Sequence, residues 1–244
     1  MIDGSTYYNS QSQARSIGGI SDVKRLAAET ANIYDRILLK KLPNNRNAVI
    51  YEAATGPGIL QAWLKNRCFT NLHGSDSSEK EAALAAQISH SIIQGDSVAD
   101  LQNRFSACTF DAIIALDFYE HIPRERFRDF LRISSSRLNP EGILILRGPN
   151  ADSPLVGLNL YNDITHIWAY TSTCLRVLCR LEGFQDVQFC DDAIPGLHHG
   201  AAWKTPLMRI SQMILTQIVW MASRQRVQFW GSSIYIFARK GESI

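Results

Sequence analysis

The chain has 244 residues, of which 45% are hydrophobic and 20% charged, with 25 basic residues against 23 acidic ones. These proportions exclude disorder and collagen-like repeats, and a net charge of +2 excludes a nucleic-acid binder that relies on overall basicity. Cys68, Cys108, Cys174, Cys179 and Cys190 form no Cys-x-x-Cys pair, so neither a disulfide framework nor a zinc knuckle is expected.

Residues 1–20 are polar and rich in Ser, Gln and Gly, and read as a flexible lead-in to a domain over 21–244. The lead-in lacks the charged-then-apolar pattern of a signal peptide, so a cytoplasmic location is expected. A helix is predicted over about 22–41, where Val23, Leu26, Ala27, Ile33, Ile37 and Leu38 recur at helical spacing. Strands and helices then alternate. Strands are predicted at 48–53, 71–75, 91–94, 110–116, 143–147, 184–190 and 233–238, with helices at 59–66, 78–88, 123–138 and 171–182. Asn139-Pro140-Glu141-Gly142 is expected to cap the third of these helices. The alternation implies an α/β fold: one doubly wound sheet, mostly parallel, with helices on both faces.

Two stretches interrupt this order, 149–170 after the fifth strand and 192–231 before the last. Both are expected to lie over a site at the carboxyl ends of the strands. The second contains an apolar run, Ile210 to Ser223, too short for the roughly twenty residues of a membrane span. From Trp203 onward the tail carries Lys204, Arg209, Arg224, Arg226, Arg239 and Lys240 against Glu242. An amphipathic element over 204–226 leaves two readings open, a peripheral membrane contact and a lid or homodimer helix.

The most informative segment is Val49 to Gly58, a strand running into a Gly turn and then a helix. Gly56 and Gly58 let the backbone approach a ligand, and the following helix offers free N–H groups. Asp76 ends the second strand about twenty residues beyond that loop, where a carboxylate can accept both hydroxyls of a ribose. It is equally a helix cap. Asp96 ends the third strand and can accept an exocyclic amine, or again cap a helix. Glu52 at the first strand tip would repel a pyrophosphate but favours a cation carrying an ammonium group. That preference points to S-adenosylmethionine rather than a nicotinamide dinucleotide.

With these residues in view the chain resembles the class I S-adenosylmethionine-dependent methyltransferases. Glu52-Ala53-Ala54-Thr55-Gly56-Pro57-Gly58 is similar to the first motif of that family, with Ala54 in place of its first glycine, a change compatible with a negative φ at that residue. His73 to Ser77 resembles the second motif, Gln94 to Ser97 the third, and Phe110 to Pro123 the fourth. Leu138 to Leu144 resembles the turn before strand five. The resemblance runs from about 33 to 190. It implies a Rossmann-like fold with an antiparallel last strand, and a cofactor held by Glu52, Ala54, Thr55, Gly56, Gly58, Asp76, Ser77, Gly95, Asp96, Ser97, Leu116 and Asp117. Gly148 to Pro154, Tyr161 to His166 and Tyr170-Thr171 resemble a branch associated with surface-polysaccharide and O-antigen biosynthesis, with Asn162 and Ile167-Trp168 as departures.

The expected activity is O-methylation of a small molecule, sugar or glycan. A quinol or aromatic O-methyltransferase and a non-catalytic scaffold of the same fold are the alternatives. His166 is the first candidate base, with Asp163 three residues earlier expected to orient it, and His121 is the second. No metal ligands are expected, and His198-His199 reads as a solvated loop. No nucleic-acid partner is expected.

Overall fold

A computed structural model describes residues 17–193 and 205–241. The described elements follow in chain order as α1 (Ile20–Ile37), β1 (Val49–Ala53), α2 (Ile59–Asn66), β2 (Asn71–Asp76), α3 (Glu79–Ala86), β3 (Ser91–Gln94), α4 (Ser97–Asn103) and β4 (Phe110–Leu116). A 3-10 turn at Tyr119–His121 leads to α5 (Arg124–Arg137), β5 (Leu138–Pro149), α6 (Gly157–Leu160), α7 (Ser172–Leu181), β6 (Phe184–Asp191), α8 (Thr205–Ser223) and β7 (Ser233–Lys240). Among the described residues the strands form one seven-stranded sheet, ordered β3-β2-β1-β4-β5-β7-β6. Every pairing is parallel except those of β7, which runs antiparallel to both β5 and β6. The Rossmann-like sheet with an antiparallel last strand is thus as expected.

Strand periodicity divides the core in two. Alternate residues point to opposite faces. Tyr51, Ala53, Ile113, Ala115, Leu144 and Leu146 pack on one side. Ile50, Ala112, Ile114, Ile143, Ile145, Tyr235 and Phe237 pack on the other, against α1 and α2. Both faces of the central strands are therefore dry, which is why they read as continuous apolar runs. The strand order reverses between β1 and β4, and the crevice at the carboxyl ends of these strands is where such sheets bind ligands.

Several expectations change at this level. Residues 1–16 of the lead-in lie outside the described residues, but Ile17 is buried and Ile20 already starts α1. That helix stops at Ile37 rather than Lys41. Asn139 to Gly142 do not cap α5 but open β5, where the pairing shifts from Phe110↔Leu138 to Ala112↔Ile143 and Glu141 sits at φ +62°. The bulge lets the strand begin earlier than its apolar run. The 192–231 insertion forms α8, but no described residue of it lines the cavity below. Instead α8 exposes Leu207, Ile210, Ile214, Ile218 and Met221 along one face. No described helix is long and apolar enough to cross a membrane. His198-His199, Trp203 and Lys204 lie outside the described residues.

Candidate active site

A cavity of about 520 Å³ opens at the carboxyl ends of β1, β2 and β4. That volume lies in the range of small-molecule and cofactor pockets. One wall comes from the turn after β1 and the ends of β2 and β3. The opposite wall comes from the turn after β4 and the 149–170 insertion.

The first wall is held by a hydrogen-bond lattice. Asp76 accepts the backbone N–H of Gly56 on Oδ2 (2.7 Å) and that of Ser78 on Oδ1 (2.8 Å). Its carboxylate thus fastens the glycine turn to the start of α3. Ser97 Oγ accepts the Ala54 N–H (2.9 Å) and donates to the Ser75 carbonyl (3.1 Å), tying the β1 turn to β2 and to α4. Gly74 has no room for a side chain, since an added Cβ would fall 2.6 Å from Thr55 Oγ1. The turn itself uses the left-handed region at Gly56 (φ +54°) and Gly58 (φ +92°). Ala54 is also left-handed, at φ +51°, so the negative φ with which alanine is compatible there is not met. The Ser97 hydroxyl and the neighbouring tight turn hold it in this strained state.

Of the expected cofactor set, Ala54, Gly56, Asp76, Ser77, Asp96, Ser97, Leu116 and Asp117 line the cavity. Glu52, Thr55, Gly58 and Gly95 do not. Glu52 is buried behind the turn and accepts a hydrogen bond from Gln61 Nε2 (2.9 Å). Burial pushes its carboxyl well above the usual range, Gln61 opposes that shift, and Asp76 adds to it. Burial likewise raises Asp76, against the two N–H bonds it accepts. Asp96 is exposed, caps α4 through the Ala99 N–H (2.8 Å) and pairs with Arg126 at the rim. The capping role therefore coexists with its place on the wall. Asp117 pairs with Arg147 of β5 (3.0 Å), and that pairing raises the guanidinium further.

The second wall gathers Glu120, His121 and His166, because the insertion is strapped to the turn after β4. Ile167 N–H donates to the Glu120 carbonyl (2.8 Å), and the buried Trp168 donates its indole N–H to the Ile122 carbonyl (3.0 Å). The two imidazoles then lie with centroids 4.6 Å apart. Asp163, expected to orient His166, holds Thr165 and through it His121. Its Oδ1 accepts from the Thr165 hydroxyl (2.6 Å) and the Thr165 N–H (2.8 Å), and Thr165 Oγ1 meets His121 Nδ1 (2.9 Å). The carboxylate thus reaches the other histidine. His166 Nδ1 instead meets the Asn159 carbonyl (3.0 Å), so that nitrogen carries the proton and Nε2 carries the lone pair. The same logic assigns Nδ1–H to His121, since the Thr165 proton is committed to Asp163. Burial lowers His121 to about 4, with His166 adding to the shift, so its ring is neutral near pH 7. Glu120 is fully buried, and burial, followed by Asp117, raises its carboxyl well above the usual range.

Sequence reasoning missed Arg147, Thr165, Asn159 and Gln61, and left Glu120 outside the site. Only Glu120, beside His121 in the fourth motif, carried a signal that could have placed it there.

A family model described as a methyltransferase domain matches residues 24–189. Among curated proteins none matches the sequence. Similar solved structures include an S-adenosylmethionine-dependent methyltransferase from Archaeoglobus fulgidus, at 17% identity, covering 96% of this chain and 100% of that one, with a TM-score of 0.67. A magnesium protoporphyrin IX methyltransferase from Synechocystis, solved with bound S-adenosylmethionine, is 16% identical over 99% of both chains, with a TM-score of 0.57. A Haloferax volcanii complex of the Trm112 methyltransferase activator with its methyltransferase matches at 13% identity over 99% of both chains, with a TM-score of 0.60. At these identities the likeness shows the fold.

Proposed function

This chain belongs to the methyltransferase domain family, and from that premise we propose that it is an S-adenosylmethionine-dependent O-methyltransferase acting in the cytoplasm on a small hydroxylated acceptor, a sugar or glycan. The observation that carries this reading is the division of one cavity into an acidic, backbone-rich wall and a wall bearing two imidazoles.

The first wall suits the cofactor. Asp76 spends one lone pair on each oxygen holding the turn, and a carboxylate has about four such sites, so two remain for ribose hydroxyls. Ser97 and Asp96 line the cavity and suit an adenine, and the backbone of Ala54 and Gly56 suits the amino-acid portion. Glu52 acts from behind the turn, as a buried carboxyl that a nearby cation would help to ionise. When bound, S-adenosylmethionine supplies an electrophilic methyl group on a sulfonium, which leaves as a neutral thioether.

The second wall receives the acceptor. His166 lines the cavity with Nε2 unprotonated and can take the hydroxyl proton as the oxygen attacks in line. His121, neutral and anchored through Thr165 to Asp163, flanks it. The polar insertion residues Asn159, Asn162 and Asp163 on this wall favour a saccharide over a prenylated quinol, which needs a greasy channel. The exposed apolar row of α8 fits a second copy of the chain, with an anionic membrane surface as the competing occupant.

Calorimetric titration with S-adenosylmethionine, followed by methyl-transfer assays on sugar and quinol acceptors, tests the reading. His166→Ala and His121→Ala are expected to keep cofactor affinity and to lose turnover by about 100-fold or more for the true base. Full turnover in both variants refutes the assignment.

A further inference from the structure

The side chains of Glu120, His121 and His166 place three donor atoms within 4.8 Å of one another at the acceptor wall. Base catalysis by a single imidazole needs no such convergence. More telling is Glu120. Its side chain is completely buried, and among the described residues neither carboxylate oxygen has a hydrogen-bond partner. Buried carboxylates in folded proteins are paired or coordinated, and an exception calls for an explanation. Glu120 Oε1 lies 3.9 Å from His166 Nε2, so the unpartnered group faces the imidazole directly.

The surroundings of the two rings supply a second, independent observation. His166 gives its Nδ1 proton to the Asn159 carbonyl, and His121 gives its own to Thr165, whose hydroxyl is in turn held by Asp163. Both rings are therefore fixed by outer partners in the tautomer that presents the Nε2 lone pair. A carbonyl or carboxylate-linked acceptor on the far nitrogen is the usual support of a metal-bound histidine. A general base needs one such ring, whereas here two are set alike beside one carboxylate.

We propose that Glu120, His121 and His166 bind a divalent transition-metal cation, departing from the sequence-based expectation of no metal. Two imidazoles and one carboxylate suit Zn²⁺, Mn²⁺, Fe²⁺ or Co²⁺ rather than the all-oxygen preference of Ca²⁺ or Mg²⁺. Ligand bonds of about 2.1 Å in a tetrahedral site set donors roughly 3.4 Å apart, so binding draws these side chains together by about an ångström. All three residues line the cavity.

The site stands on its own geometry; the role given to the ion rests on the methyl-transfer reading. There the cation would act as a Lewis acid on an acceptor hydroxyl, whose proton would pass to water. The resulting oxygen anion forms the O–C bond as the C–S bond breaks, and the sulfonium leaves as a neutral thioether. With the ion bound the imidazoles would act as ligands, so the base role given to His166 above belongs to the metal-free protein.

The full chain, stripped with a chelator and dialysed, is titrated with ZnCl₂ by calorimetry and with CoCl₂ by visible absorption. Cofactor is titrated separately. One saturable equivalent and Co²⁺ d–d bands are expected. Glu120→Gln, close in shape, and His166→Gln, in the 149–170 insertion, should each weaken the metal by about tenfold or more and leave cofactor affinity and thermal midpoint near the wild type. If the wild type takes up no stoichiometric metal, or if both variants bind it as the wild type does, the proposal fails. Metal uptake without any cofactor binding upholds the site and refutes the methyl-transfer reading; cofactor binding without metal uptake does the reverse.

Discussion

Replacing Asp76 by asparagine isolates the contact on which the cofactor wall depends. The carboxylate accepts two backbone N–H groups, Gly56 at 2.7 Å and Ser78 at 2.8 Å. Asparagine keeps one acceptor oxygen and turns an amino group toward the other N–H. One charge-assisted bond, worth about 1.5–3 kcal/mol, is lost. Relief of the buried charge offsets part of this, because burial already disfavours the ionised form. A net loss of about 1–2 kcal/mol is expected, or roughly 2–8 °C in Tm for a domain of this size. Cofactor affinity should fall by about 10- to 100-fold, since the turn loosens and a ribose acceptor goes with it. Asp96→Asn is the matched control for stability alone, since Asp96 also lines the cavity. Its side chain is 56% exposed, asparagine caps a helix as well as aspartate does, and an exposed ion pair is worth at most about 1 kcal/mol. Thermal denaturation and calorimetric titration of both variants make the test. Equal losses of stability in the two, or no loss of stability or affinity in Asp76→Asn, would refute the reasoning.

Three further outcomes follow from the same geometry. Ala54→Gly relieves a left-handed alanine at a cost in unfolded-chain entropy, so it should stabilise the protein by about 0.5–1 kcal/mol; a variant less stable than the wild type in chemical denaturation would show the turn unstrained. Glu52, raised by burial, binds its proton more tightly folded than unfolded, so its contribution to apo stability is full below the unfolded value near about 4.3 and is lost as pH rises through the folded value. A bound cation favours the ionised form, so cofactor affinity should tighten as pH rises through that folded value, and Glu52→Gln should flatten the slope. An unchanged slope in the variant would contradict the role given to this carboxyl. Self-association through α8 predicts a dimer by light scattering that Ile214→Glu and Ile218→Glu dissociate, whereas a wild-type monomer that sediments with anionic vesicles would assign the face to a membrane.

The sheet was legible in the sequence because β1, β4 and β5 are dry on both faces and therefore appear as apolar runs between turn residues. The short α4 was not, since its seven residues offer little helical period and Asp96-Ser97 carried a competing reading as a ligand contact. Asp76 and Asp96 look alike in sequence, each an acid at a strand tip. Only burial separates them, because one is walled in by the turn it holds and the other stands at the rim beside Arg126. The Asp163–His166 spacing suggested a pair, but the direction of two side chains in a loop depends on what the loop docks against. Here Trp168 and Ile167 fasten it to the turn after β4 and send Asp163 toward His121. Arg147 escaped notice because a lone cation in a strand carries no sign that an aspartate across the sheet will meet it.

The central claim is that the β1–β2 wall holds the donor and the His121–His166 wall holds the acceptor. A crystal structure with the demethylated cofactor S-adenosylhomocysteine tests it most directly. The account predicts the ribose hydroxyls on Asp76 and the sulfur facing the two imidazoles across the cavity. A cofactor bound away from Asp76, or with its sulfur turned from the histidines, would contradict it.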